Sequence, residues 1–245
     1  MIRVRRPAPT QHLTATQLQE LRTKQTQADG YSKSDPQITT TWKNFRETNT
    51  GKAVLAALQI VFRNKCAFCE CVNAKSIDHY RPKERYPKKM FRWANFLLCC
   101  SNCNLAKGNR FPFRNRKPVL LDPTNDEPLD FCVWDLKSGA MASVTDPSLS
   151  RRAIYTRDQL KLDVYPLREA RRVQCSRVLQ YLTDVVNEDP VRPETRQRLE
   201  EELHPNREFL GIIRFLFRQP NVFRPIVDAA RAKLPEIDTW VAEWL

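Results

Sequence analysis

The sequence predicts an α+β fold, in which a small centre of short strands and one helix is carried on a mostly helical body. Two Cys-x-x-Cys motifs, beginning at Cys66 and Cys100, have 30 residues between them and would hold that centre together. Just before the second motif, the apolar run Phe96–Cys99 has the length of a buried strand. After residue 160, apolar residues recur every three or four positions, as they do on one face of a helix.

The remaining elements follow from apolar spacing and from helix breakers. Helices are predicted over about 15–28 and 51–62, with an irregular arm before the first and a loop at 29–35 after it. A hairpin is predicted around 131–134. From residue 190 onward, four short helices are separated by Pro190, Pro193, Pro205, Pro220 and Pro235. One apolar stripe in this region is interpreted as the core of a helical bundle: Phe209, Ile212, Ile213, Leu216 and Phe217.

The positive charge is concentrated in one part of the chain. The formal net charge is +13, and residues 51–120 carry 15 basic and 3 acidic side chains, an excess of 12. Such a concentration is typical of a surface that binds a polyanion, most simply nucleic acid. A solvated basic surface is the alternative, and charge alone does not choose between the two.

The chain has no feature of a membrane or secreted protein. No apolar run approaches the roughly 20 residues of a membrane span, and the basic N-terminus is not followed by the apolar stretch of a signal peptide. We therefore expect a soluble cytoplasmic protein without a membrane partner. In that compartment, paired cysteines indicate metal binding in preference to disulfides.

The two cysteine motifs predict a closed structural zinc site. Each motif directs two thiolates at one point, so that Cys66, Cys69, Cys100 and Cys103 would complete a tetrahedral shell with no open position. The register is ambiguous, because Cys71 and Cys99 lie beside the proposed ligands. A set of buried free thiols is the alternative to a zinc site.

Polar residues suited to phosphodiester hydrolysis lie between and after the cysteine motifs. A neutral His79 can accept a proton from water, while the oxygens of Asp78 and Asn104 suit a hard cation. Lys107 would share a helix face with Asn104 and point at a phosphate. Arg81 and Lys83 add charge for nucleic-acid binding. Taken singly, the Asp-His pair could be a surface hydrogen bond, and Asn104 a helix cap.

The order of these motifs resembles the HNH (ββα-metal) endonucleases that have a four-cysteine zinc site. The resemblance implies that His79 is the general base and that Asp78 and Asn104 hold one Mg²⁺ or Mn²⁺. It also implies that Asn95 braces the loop carrying the base. The pattern reads Cys-x-x-Cys, Asp78-His79-x-x-Pro82, Asn95, and Cys100-x-x-Cys103-Asn104-x-x-Lys107.

A closer resemblance, over roughly residues 1–140, is to the HNH subunits of Septu-type anti-phage systems (PtuB-like). Such subunits work with an ABC/SMC-like ATPase, and some accompany retrons. The resemblance implies an endonuclease acting on invading nucleic acid, with DNA favoured and RNA possible. It rests on Trp42-Lys43-Asn44-Phe45, Cys66-Ala67-Phe68-Cys69-Glu70, Asp78-His79-Tyr80-Arg81-Pro82-Lys83, Trp93-Ala94-Asn95-Phe96-Leu97-Leu98 and Leu120-Leu121-Asp122-Pro123.

Two other functions stay open on the same residues. The first is an RNA-cleaving toxin, because the metal chemistry does not choose the sugar. The second is a zinc ribbon that only grips nucleic acid as an adaptor. A zinc ribbon needs neither the Asp-His pair nor the pair of Asn104 and Lys107.

Three domains are expected on this basis. They are an N-terminal arm with helices at 1–60, an HNH nuclease domain at 61–140, and a helical partner-docking domain at 141–245. The last is nearly charge-balanced and contains Trp240 and Trp244, which would share one face of a helix. Its expected partner is the ATPase, and the alternative is that both indoles pack into the domain's own core.

Overall fold

The computed structural model describes residues 1–72 and 74–244. By contacts, the chain divides into two compact units. One is Arg3–Asp126, and the other is Glu127–Leu245 together with Met1–Ile2. The predicted domains 1–60, 61–140 and 141–245 were defined by expected function, whereas these two units are defined by contacts. The predicted limits at 60 and 140 therefore stay predictions.

The unit Arg3–Asp126 begins with three helices: α1 (Ala15–Asp29), α2 (Gln37–Glu47) and α3 (Asn49–Val61). The first and third agree with the predicted helices, whereas α2 was not predicted. Its buried residues Ile38, Trp42 and Phe45 nevertheless have helical spacing.

Helices α2 and α3 approach closely where α3 begins. Thr48 caps α3 by accepting a hydrogen bond from the backbone N–H of Gly51. A Cβ atom on Gly51 would lie 2.2 Å from the backbone oxygen of Phe45, which excludes any larger side chain. This close contact packs the end of α2 against the start of α3.

The centre of the unit is an antiparallel pair of strands followed by a helix. Strand β1 (Ser76–His79) pairs with β2 (Phe96–Cys99), with Asp78 opposite Leu97. Helix α4 (Ser101–Lys107) follows β2 directly, and a small hairpin of β3 (Phe113–Arg114) and β4 (Lys117–Pro118) comes after it. The predicted strand Phe96–Cys99 is confirmed, and its four residues are all buried.

The second unit is mostly helical. The predicted hairpin is present as β5 (Cys132–Trp134) and β6 (Met141–Ser143). Helix α5 was not predicted, whereas the long helix and the four short ones beyond residue 187 were. The bounds are α5 Pro147–Gln159, α6 Tyr165–Asn187, α7 Pro193–Leu203, α8 Leu210–Arg218, α9 Arg224–Lys233 and α10 Glu236–Val241.

The end of the chain packs into this unit's own core. The indole N–H of the buried Trp244 donates to the backbone oxygen of Leu203 over 2.9 Å, and its ring lies near Phe217. Trp240 is half-buried under the guanidinium of Arg196. The core alternative therefore holds for Trp244. Within the described residues, none of the helices has the length and apolarity that crossing a bilayer requires.

Candidate metal centre and catalytic cleft

Four cysteines meet in one cluster of the unit Arg3–Asp126. The sulfur atoms of Cys66, Cys69, Cys100 and Cys103 all lie within 4.8 Å of one another. A tetrahedral site with metal–sulfur bonds of about 2.3 Å requires sulfur atoms about 3.8 Å apart. The separation of 3.7 Å between Cys69 and Cys100 fits that requirement. The four cysteines are therefore placed to bind one metal ion, as the sequence predicted.

Local backbone structure presents these thiols. The first motif is tied to β2 by a hydrogen bond from Ala67 N–H to the backbone oxygen of Leu98, and its turn places Glu70 at a φ of 69°. In the second motif, Cys100 caps α4, and its sulfur accepts from Cys103 N–H over 3.5 Å.

The geometry favours Cys100 over Cys99 as the fourth cysteine of the group. Cys99 is on β2 with its sulfur 3.8 Å from that of Cys66, but it does not belong to the group of four. Cys71 also lies outside the group. Hydrogen bonds from the thiols of Cys100 and Cys103 hold the pKa of Cys66 well below its usual range, whereas hydrogen bonds within the same cluster raise the pKa of Cys69 and of Cys103.

His79 lies at the end of β1, and its imidazole is almost fully buried among aromatic rings. The ring of Trp42 meets it edge-on with centroids 4.3 Å apart, and Phe96 lies at 5.6 Å. Its Nε2 lies 2.8 Å from the backbone oxygen of Met90. Burial, assisted by the positive charge of Lys83, lowers the pKa of His79 to about 3. The imidazole is therefore neutral at pH 7.

The loop that supplies the Met90 oxygen is braced from two sides. Asn95 accepts from Arg81 N–H at 2.8 Å and donates to the backbone oxygens of Arg81 and Lys89, each at 3.0 Å. From α1, the buried Gln25 accepts from Phe91 N–H and donates to the oxygen of Pro87. These bonds set the position of the His79 ring through Met90.

Asp78 and Lys107 form a buried ion pair beside the histidine. The Lys107 ammonium lies 3.1 Å from Asp78 Oδ1 and donates to the backbone oxygen of His79 over 2.6 Å. Asp78 Oδ2 is buried and has no hydrogen-bond partner among the described residues. Burial raises the pKa of Asp78, and the charge of Lys107 opposes that rise. The sequence placed Lys107 towards a phosphate, whereas the structure places it against this carboxylate.

Asp78, His79 and Lys107 line one cleft of about 340 Å³. Asn104 reaches it half-buried from α4, and Lys83 reaches it from the loop after β1. Asn95 and Arg81 do not line it. The lining also includes four residues of α2: Thr39, Trp42, Lys43 and Arg46. Lys43 and Arg46 are exposed and one helical turn apart.

Arg81 lies in a box of aromatic rings. Its guanidinium is 5.8 Å from the ring centroid of Tyr86, 5.9 Å from Phe111 and 5.7 Å from Phe113. Such stacking holds the cation in place near the cleft.

Sequence reasoning missed the contribution of the first two helices. Trp42, Lys43 and Arg46 line the cleft and Gln25 braces the loop, yet the sequence alone assigns none of them a role in the site. The available signal was the apolar spacing of Ile38, Trp42 and Phe45, which predicts a helix with its polar face turned outward.

Comparison with known proteins shows a partial relationship. No protein-family model matches the chain. Over 114 residues the chain is 31% identical to the "Septu protein PtuB" of Bacillus thuringiensis, a match that covers 41% of this chain and 43% of that relative. The chain therefore matches less than half the length of this curated relative. The similarity supports a relationship to Septu proteins over that stretch.

Proposed function

We propose that this protein is an HNH endonuclease that hydrolyses phosphodiester bonds in invading nucleic acid, DNA in preference to RNA, as the effector of an anti-phage defence system. The observation that carries the proposal is the convergence of Asp78, His79, Asn104 and Lys107 on one basic cleft beside a four-cysteine metal site. The similarity to a Septu protein supports the defence role.

Two kinds of metal ion fit the residues present. Four thiolates with no open position suit a structural Zn²⁺. The unpartnered Oδ2 of Asp78 and the amide oxygen of Asn104 suit a hard ion, Mg²⁺ or Mn²⁺. When bound, that ion would neutralise charge on the phosphate and on the leaving oxygen.

The hydrogen bond to Met90 assigns the proton positions on His79. A backbone oxygen only accepts, so Nε2 must carry the proton, and Nδ1 keeps its lone pair. Nδ1 can then take a proton from water as the water oxygen attacks phosphorus. The bond from phosphorus to the leaving oxygen breaks, and that oxygen leaves with the electron pair. Asn95 acts as a positioning residue for this arrangement.

Cations around the cleft supply contacts for the phosphate backbone. Lys83 and the exposed Lys43 and Arg46 line it, and Arg81 lies beside it. Lys107 is buried against Asp78 and is not one of these contacts. Each phosphate neutralised by such a side chain strengthens binding through release of counterions.

An ABC/SMC-like ATPase is the proposed partner, docked through the helices of the second unit. The near balance of charge in residues 151–245, with 17 basic and 15 acidic side chains, suits a protein partner better than nucleic acid.

The decisive experiment incubates the protein with DNA and with RNA separately, each with Mg²⁺ or EDTA, and with or without the ATPase. We expect Mg²⁺-dependent cleavage that His79→Asn reduces by at least about 10²-fold. Lys52→Gln, which changes an exposed residue of α3, serves as the control and should cleave normally. Binding without cleavage under every condition would favour the zinc-ribbon adaptor. Undiminished cleavage by a folded His79→Asn protein would overturn the catalytic assignment.

A further inference from the structure

The hairpin formed by β3 and β4 is an exposed basic arm next to the cleft. Residues 113–117 are all exposed, and Phe113 keeps 41% of its surface open to solvent. Arg114, Arg116 and Lys117 have no acidic partner within the part of the chain that the structure describes. A partly exposed aromatic ring close to three cations without acidic partners is the combination that single-stranded nucleic acid binds.

The turn of this hairpin retains a cation where glycine would fit best. Asn115 and Arg116 have φ angles of 48° and 61°. Two central residues with positive φ are required by the tight hairpin turn that usually has the sequence Asn-Gly. An arginine adopts this conformation with strain, so the side chain at the tip is retained at a cost to stability.

The hairpin is connected to the catalytic residues through rings and one cation. Phe113 packs against Phe111 with centroids 5.3 Å apart, and Arg81 lies over both rings. Arg81 is two residues after His79, and Asn109 at the foot of the hairpin lines the cleft. A strand of nucleic acid leaving the cleft would therefore reach the hairpin within a short distance.

We propose that residues 113–118 hold an unpaired segment of the nucleic-acid substrate, with Phe113 stacking on a base and the three cations contacting phosphates. This inference rests on the proposed function and adds the strand state that the site selects. A duplex keeps its bases stacked on one another, so only an unpaired base can use the ring.

Binding of the full-length protein to labelled oligothymidylate of about 20 nucleotides tests the proposal, with a DNA duplex of the same length beside it, in Mg²⁺-free buffer. We expect Phe113→Ala to weaken single-strand binding by about 5- to 150-fold and duplex binding much less. The triple change of Arg114, Arg116 and Lys117 to Gln should lower the slope of log affinity against log salt by about 2. The matched triple control changes Arg22, Lys52 and Arg151 to Gln. These three cations are exposed and lie outside the hairpin.

Two further variants separate binding from folding. Phe113→Leu keeps apolar packing without the flat ring and should bind single strands as weakly as Phe113→Ala. Arg116→Gly relieves the strained turn, so it should melt at the same or a higher temperature yet bind more weakly. Normal binding by folded Phe113→Leu, or a triple variant that binds like its control, overturns the proposal. If binding depends on the hairpin but the wild-type protein cleaves nothing, the nuclease proposal fails and this one stands.

Discussion

The ammonium group of Lys107 lies 3.1 Å from the carboxylate of Asp78, and both side chains are almost completely buried. A buried carboxylate at this position needs a positive charge, and in the structure the lysine provides it. Lys107 therefore neutralises the same carboxylate that we propose as a ligand for Mg²⁺.

The first prediction concerns this ion pair. Lys107→Met should lower the free energy of unfolding by about 3–5 kcal/mol, because Asp78 is left buried without its cation. The double change with Asp78→Asn should recover much of that loss, since no charge remains to be compensated. Urea unfolding measures both, and a Lys107→Met protein within about 1 kcal/mol of wild type would contradict the role of the pair. Millimolar Mg²⁺ should stabilise Lys107→Met more than wild type.

The second prediction concerns the register of the metal site. Cys100→Ala should abolish binding of one zinc per chain and unfold the unit Arg3–Asp126, because three thiolates cannot close the site. Cys99→Ala is the matched control and should keep full zinc content. Elemental analysis of the purified proteins provides the measurement, and the reverse pattern of zinc loss would show that Cys99 is the ligand.

The third prediction concerns the brace of the catalytic loop. Asn95→Ala removes three hydrogen bonds and leaves buried backbone groups unsatisfied, so we expect a loss of at least about 2 kcal/mol of stability. Cleavage at saturating substrate should also fall, because the Met90 oxygen no longer holds His79 in place. Asn44→Ala, the same change at an exposed site on α2, should alter neither quantity. Full activity in folded Asn95→Ala would remove Asn95 from the mechanism.

The fourth prediction concerns pH. Burial lowers the pKa of His79 to about 3 in the folded protein, whereas the unfolded chain has its ordinary value of about 6.5. Between these values the unfolded chain binds the extra proton, so the contribution of His79 to stability is present above pH 6.5 and is lost as the pH falls towards 3. Urea unfolding measured from pH 7 to pH 4 should show that the free energy of unfolding falls more steeply for wild type than for His79→Phe. The difference in slope should be up to about 1.4 kcal/mol per pH unit. Equal slopes would mean that the imidazole titrates normally in the folded state.

The fifth prediction concerns partner docking. Deletion of residues 190–245 should disrupt the complex with the ATPase while sparing the zinc content of the unit Arg3–Asp126, because the four cysteines lie outside the deleted part. Co-purification of the two proteins, with zinc analysis of the truncated chain, measures both effects. Full stoichiometry after truncation would place the docking surface elsewhere, with the helices before Cys66 as the next candidates.

Sequence reasoning worked best where the signal is local. Helix α3, strand β2 and the short helices after residue 187 follow from apolar spacing and from proline breakers. It missed α2, which is polar apart from Ile38, Trp42 and Phe45, and it missed α5. Both helices are mostly polar and bury only a narrow face, so each has few apolar residues from which helical spacing can be recognised.

By itself the sequence determined the chemistry that is available: two thiolate pairs, a histidine next to an aspartate, and a concentrated positive charge. These are properties of neighbouring residues, so spacing and counting reveal them. Only the tertiary structure decided that Trp42 covers His79, that Met90 orients it and that Lys107 pairs with Asp78 instead of facing solvent. Those contacts join residues 37, 11 and 29 positions apart, and which of them form depends on how the buried faces of α2, β1 and α4 pack.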